Sequence, residues 1–135
     1  MSLLLPCPPL KLISHGLKRM GVKDNPDLAI VPRCDLMIDC RGIQEHGLDR
    51  NVFAKYKLQI VEHSPVSVQA MVDLVTDGLR HVKDRRFKEP DAMTRPFVVC
   101  FVCAYVMNRS FTTKYVVGER LTKLGYEVRI PKEKL

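Results

Sequence analysis

The chain has no tryptophan, and aromatic residues make up only 7% of its 135 positions. That composition does not advertise a row of aromatic faces on which single-stranded nucleic acid could stack. No apolar run approaches the length of a transmembrane helix. The opening Met-Ser-Leu-Leu-Leu-Pro has neither the basic flank nor the apolar length of a secretory signal. No Gly-x4-Gly-Lys-Ser/Thr run occurs, so nucleotide hydrolysis of the P-loop kind has no support. His15, His46, His63 and His81 lack ligand spacing. Cys100-Phe101-Val102-Cys103 lies inside an apolar run with no second pair, so neither a metal nor another cofactor is expected. The five cysteines form no disulfide framework and read as reduced thiols, which points to a cytoplasmic protein without a membrane partner.

Positive charge is abundant. Lysine and arginine number 22 against 15 acids, a formal net charge of +7. Such an excess favours phosphate-bearing partners, whether RNA, DNA, anionic lipid or a phosphorylated metabolite, without choosing among them. The length suits a single domain over residues 1–135, large enough to bury a core without disulfides or metal. Homo-oligomerisation is left open.

The hydrophobic pattern predicts an α/β fold. Residues 10–14 alternate like a short strand, followed by a glycine-flanked basic loop over residues 15–21. Residues 34–40 read as a buried strand ending in Asp39-Cys40-Arg41-Gly42. Residues 44–63 are polar and irregular, with a short helix expected over 49–57. Ser64-Pro65 marks a helix start, and Val68, Met71, Val72, Val75, Leu79 and Val82 recur at helical spacing as far as about Lys83. Residues 97–103 are almost wholly apolar, like a central strand covered on both faces. Val117, Leu121 and Leu124 then predict the buried stripe of a helix stopped by Gly125, and residues 126–130 alternate as a last strand. This order gives a mostly parallel sheet sandwiched by helices.

The segment joining the apolar strand to the last helix, Cys103-Ala104-Tyr105-Val106-Met107-Asn108-Arg109-Ser110, carries the most chemistry. Backbone N–H groups at a helix start lack partners and sit at the positive end of the macrodipole, so they favour an anion. Arg109 would clamp it with a planar fork and Ser110 would add a hydroxyl, while the Tyr105, Val106, Met107 and Asn108 amides hold it. Gly16, Lys18, Arg19 and Arg41 would close the pocket. A different reading takes the Cys-x5-Arg spacing as that of a cysteine-dependent phosphatase, with Cys103 as nucleophile and Asp39 or Asp49 as general acid. The loop interior has no glycine, however, and β-branched Val106 disfavours positive φ. A third reading assigns RNA binding to Arg80, Lys83, Arg85, Arg86 and Lys88, whose plain alternative is a solvated helix end.

Taken in order, Ser14-His15-Gly16-Leu17-Lys18, Ile38-Asp39-Cys40-Arg41, Gly47-Leu48-Asp49 and the run from Cys103 to Arg109-Ser110 resemble the C-terminal domain of the RNase adapter protein RapZ family. The resemblance covers nearly the whole chain, without that family's N-terminal P-loop domain. It implies a phosphofructokinase-like α/β subdomain, a pocket for an amino-sugar phosphate or similar anion, and a basic surface for structured RNA. On that footing the expected function is a non-catalytic sensor of a phosphorylated small molecule.

Overall fold

The structure is a computed structural model and describes residues 7–18, 32–43, 47–49, 51–86, 94–105 and 109–132. The elements run β1 (Leu10–Lys18), β2 (Leu36–Asp39), α1 (Phe53–His63), α2 (Pro65–Arg86), β3 (Phe97–Tyr105), α3 (Arg109–Lys123) and β4 (Val128–Arg129). All strand pairs are parallel, and the sheet order is β2-β3-β1-β4. This is the α/β architecture with a parallel sheet that the hydrophobic pattern predicts.

The apolar run of β3 earns its central place. Phe97, Val99, Phe101 and Cys103 alternate with Cys100 and Val102, and both sets are buried. Burial on both faces is what a continuous apolar strand requires, and each large side chain so covered contributes roughly 1.5–3 kcal/mol. Two helices meet the face that carries Phe97, Leu36, Leu12 and Val128. Gly78 of α2 lies against Phe97 and Leu36, and Gly118 of α3 lies against Leu12, Val128 and Ile130. The predicted stripe of α2, from Val68 to Val82, is buried throughout.

Several boundaries differ from expectation for identifiable reasons. Instead of ending at Ser14, β1 continues to Lys18, into the segment expected as a loop, with His15 opposite Val102, Gly16 opposite Cys103 and Lys18 opposite Tyr105; residues 19–21 of that segment lie outside the described residues. The long β3 offers an unbroken ladder, and pairing along it overrides the local turn signal of the glycine. Rather than covering 49–57, α1 runs to His63 and buries Tyr56 and Ile60 one turn apart. Its N-cap is Val52, which supplies no side-chain hydrogen bond, so no polar residue marks the start. Ser64 joins two helices: its N–H donates to the Ile60 carbonyl (2.9 Å), and its own carbonyl accepts from Val68 N–H (3.0 Å). Pro65 then occupies the first position of α2, where a missing N–H costs nothing.

At the other end, Gly125 adopts φ +99°. Its N–H donates to the Thr122 carbonyl (3.0 Å), and Tyr126 N–H to that of Leu121 (3.1 Å). This paired closure ends α3 at the predicted glycine. Leu124 is not part of the buried stripe: it lies in the turn beyond the last helical residue and is 57% exposed. The last strand is also shorter than the alternating pattern suggests, with Val128 and Arg129 alone paired to β1.

Candidate functional site

The chain leaving β1 goes on to β2, on one side of the sheet, whereas the chain leaving β3 goes on through α3 to β4, on the other. Strands β1 and β3 are neighbours, so their carboxyl ends form a topological switch point, the crevice where open α/β sheets hold ligands. Asp39, Arg41, Cys103, Arg109 and Ser110 all belong to this edge.

Asp39 is the last residue of β2 and Arg41 follows two positions on. The Arg41 guanidinium donates from Nε to Oδ1 (3.0 Å) and from Nη2 to Oδ2 (2.8 Å), while Arg41 N–H donates to Oδ1 (2.9 Å). These bonds, aided by the field of Arg109, hold the Asp39 carboxyl below its usual range, and the carboxylate in turn raises the Arg41 guanidinium. Arg109, half-buried at the start of α3, donates from Nη1 to the Arg41 carbonyl (2.5 Å). A direct hydrogen bond therefore joins the segment after β2 to the first residue of α3. The first turn of α3 contains no acidic residue. One guanidinium, that of Arg109, thus stands where the helix dipole is already positive, and its field reaches the Asp39 carboxylate that the Arg41 guanidinium holds.

Cys103 and Ser110 span the strand-to-helix segment from below. Both are fully buried, and the Cys103 thiol donates to Ser110 Oγ (2.9 Å). Ser110 lies within α3, so it is not the residue that caps the helix. Cys40 N–H donates to the Val102 carbonyl (2.7 Å), which sets Cys40 beside Cys103 across the β2–β3 ladder. Burial pushes the Cys40 thiol far above its usual range, with Cys103 and Asp39 adding to the effect.

Of the other candidates, Gly16 and Lys18 share this edge. Gly16 is buried in β1 opposite Cys103, and Lys18 forms the last register pair with Tyr105. Arg19, Val106, Met107, Asn108 and Lys88 lie outside the described residues. Asp49 is engaged locally: its Oδ1 accepts from Asn51 N–H (3.2 Å), its Oδ2 from Lys55 Nζ (3.5 Å), and its N–H donates to Gln59 Oε1 (2.8 Å). It organises the approach to α1. Arg80, Lys83, Arg85 and Arg86 occupy the last turns of α2, whose end lies with Asp35 and Phe97 at the amino edge of the sheet. The basic helix end and the arginine pair therefore stand at opposite edges.

One residue escaped the reading of the sequence. Lys114 is fully buried, with its Nζ 4.5 Å from the Phe111 ring centroid and 5.0 Å from that of Tyr115. Phe53 packs edge-on against Tyr115 at 5.3 Å, completing an aromatic trio around the two helix starts. The signal was present: Ser110, Lys114, Val117 and Leu121 fall at spacings of four, three and four, the inner stripe of a helix. Among the described residues no group of His, Cys, Asp or Glu could hold a metal, and no helix is long and apolar enough to cross a membrane. No family model, curated protein or solved structure matches the chain.

Proposed function

We propose that this protein is a non-catalytic module that binds a phosphate-bearing small molecule, of the sugar-phosphate class, at the carboxyl edge of its sheet. The observation that carries the reading is the hydrogen bond from Arg109 to the Arg41 carbonyl, which ties the segment after β2 to the acid-free start of α3 and leaves the Arg41 guanidinium on Asp39 nearby. Arg109 and the first amides of α3 would meet the phosphate, and Arg41 would turn to it from Asp39. A binding role fits better than a phosphatase because the Cys103 thiol is sealed in the core and directed at Ser110, whereas a nucleophile must face the ester. The resemblance to the RapZ C-terminal domain points to an amino-sugar phosphate. The five cysteines, none of them in a disulfide, suit a reducing, cytoplasmic setting.

Thermal melting with increasing phosphate, sulfate or glucosamine 6-phosphate tests the proposal, with chloride at matched ionic strength as the control. A ligand at about one hundred times its Kd adds about 2.7 kcal/mol, a rise on the order of 10 °C for a domain of this size. Arg109→Ala abolishes the rise. A wild-type protein that melts at the same temperature in all of these anions refutes the reading.

A further inference from the structure

The outer side of the helical layer carries a groove that phosphate binding does not use. It lies between α1 and α3, encloses about 420 Å³, and has Leu58, Val61 and Val116 as its apolar part. Leu58 is 66% exposed, so the groove is open to solvent. On α1, Ala54, Leu58 and Val61 recur at i, i+4 and i+7. Val61 packs in part against the core, whereas Leu58 stands clear of it, so the apolar surface of α1 extends outward past Tyr56 and Ile60. A surface helix that serves only its own core needs no such extension.

The charges of the groove are equally one-sided. Lys57 and Glu119 bridge α1 to α3 and neutralise each other. Arg120 and Lys123 remain on the α3 side; among the described residues the lining holds no further carboxylate, and Arg120 reaches the neutral Gln69 amide oxygen by a long bond of 3.4 Å. The one acid on α1, Glu62, is not among the lining residues. The result is an apolar channel with a positive rim, on a chain of net charge +7.

We propose that this groove docks an acidic amphipathic helix of a partner protein. Such a helix offers apolar side chains at i, i+3 or i+4 and i+7 for Leu58, Val61 and Val116, and carboxylates for Arg120 and Lys123. α1 is about 16 Å long, which a partner helix of roughly three turns would span. Other occupants match less well. A second copy of the chain would set the same positive rim against itself, and a nucleic acid has phosphates but no apolar stripe to cover Leu58.

The test uses a fluorescein-labelled synthetic peptide of about 14 residues with Leu on one helical face and Glu elsewhere, titrated with the full chain by fluorescence anisotropy. The peptide binds, and binding weakens as salt is raised. Leu58→Glu, at an exposed position, leaves the melting temperature unchanged and weakens binding by more than about tenfold, since it removes the anchor and adds repulsion. Lys123→Glu weakens binding as well, and the same peptide with Lys in place of Glu does not bind. The proposal is overturned if the acidic peptide fails to bind, if Leu58→Glu binds it equally, or if the basic peptide binds as well. It is equally overturned if sedimentation shows a dimer that Leu58→Glu dissolves, or if an RNA oligonucleotide displaces the peptide.

Discussion

Gly118 sets how closely α3 lies on the sheet, and adding one methyl group there tests that packing directly. A Cβ at this position would stand 3.1 Å from Ile130 Cδ1, 3.2 Å from Leu12 Cδ1 and 3.5 Å from Val128 Cγ1. Two effects of Gly118→Ala oppose each other. Alanine in a helix interior gains about 0.8–1 kcal/mol over glycine. Crowding a well-packed interface costs about 1–3 kcal/mol, and Leu12 is fully buried, so it has little room to yield. The expected balance in urea denaturation is a loss of about 1 kcal/mol. The cause is isolated by a second change: Ile130→Val removes the nearest offending atom. In the wild-type background that truncation costs about 0.5–1.5 kcal/mol, and in the Gly118→Ala background it costs clearly less. Arg109 lies roughly 13 Å along the helix, so anion-dependent stabilisation survives the change. A Gly118→Ala protein more stable than wild type, or strictly additive effects with Ile130→Val, would refute the packing reasoning.

Native thiol titration should show Cys7 and Cys34 reacting ahead of the buried Cys40, Cys100 and Cys103, with Cys34 itself slowed because burial and Asp35 raise its pKa; rapid modification of Cys103 in the folded protein would revive the phosphatase reading. Asp39→Asn should lower stability near neutral pH and make no difference in acid. The reason is that a carboxyl depressed below its usual value stabilises above that value and loses its contribution as pH falls through the lowered one. Urea midpoints of the two proteins across the acid range check the sign, and a difference that grows on acidification contradicts it. The same substitution should tighten phosphate binding roughly fivefold, because it frees Arg41 and removes about 1 kcal/mol of repulsion, the value for unit charges about 4 Å apart in water; weaker binding in the melting assay would show that Asp39 instead holds Arg41 in place for the anion.

The elements whose signals are dense in the chain were legible from sequence, and those defined by contact with another segment were not. Ser64-Pro65 and the stripe from Val68 to Val82 announce α2, and Gly125 announces the end of α3, because each carries its own local chemistry. The extension of β1 through Gly16 depends on the ladder that β3 offers, and nothing within residues 15–18 encodes it. Likewise α1 starts without a polar cap, and its two buried residues, Tyr56 and Ile60, are too few to stand out in a polar segment. At the candidate site, Arg41 and Arg109 could each be singled out as strand-end and helix-start cations. Their junction through a backbone carbonyl, 68 positions apart in sequence, belongs to the topology. Lys114 was overlooked because a lysine on a helix is read by default as a solvated side chain, although its spacing from Ser110 placed it on the inner face.

The absence of glycine between Cys103 and Arg109 bears on the choice between a catalytic loop and a binding edge. A loop that cradles an anion with its own amides needs backbone conformations that alanine, tyrosine, valine and methionine disfavour. Here the two ends of the segment are fixed by other means: the β1–β3 ladder runs to Tyr105, and the thiol of Cys103 is tied to the hydroxyl of Ser110 beneath it. Buried contacts of this kind hold the distance between strand end and helix start without any demand on the residues between them. On the proposed reading the anion therefore lies against the first turn of α3 and the two guanidinium groups, and not inside a curled loop. Recognition then rests on Arg109 and Arg41. On that reading a thiol that serves as a strut has no path to the phosphorus atom, so the spacing that would spell a phosphatase on paper goes with the proposed binding role and against turnover.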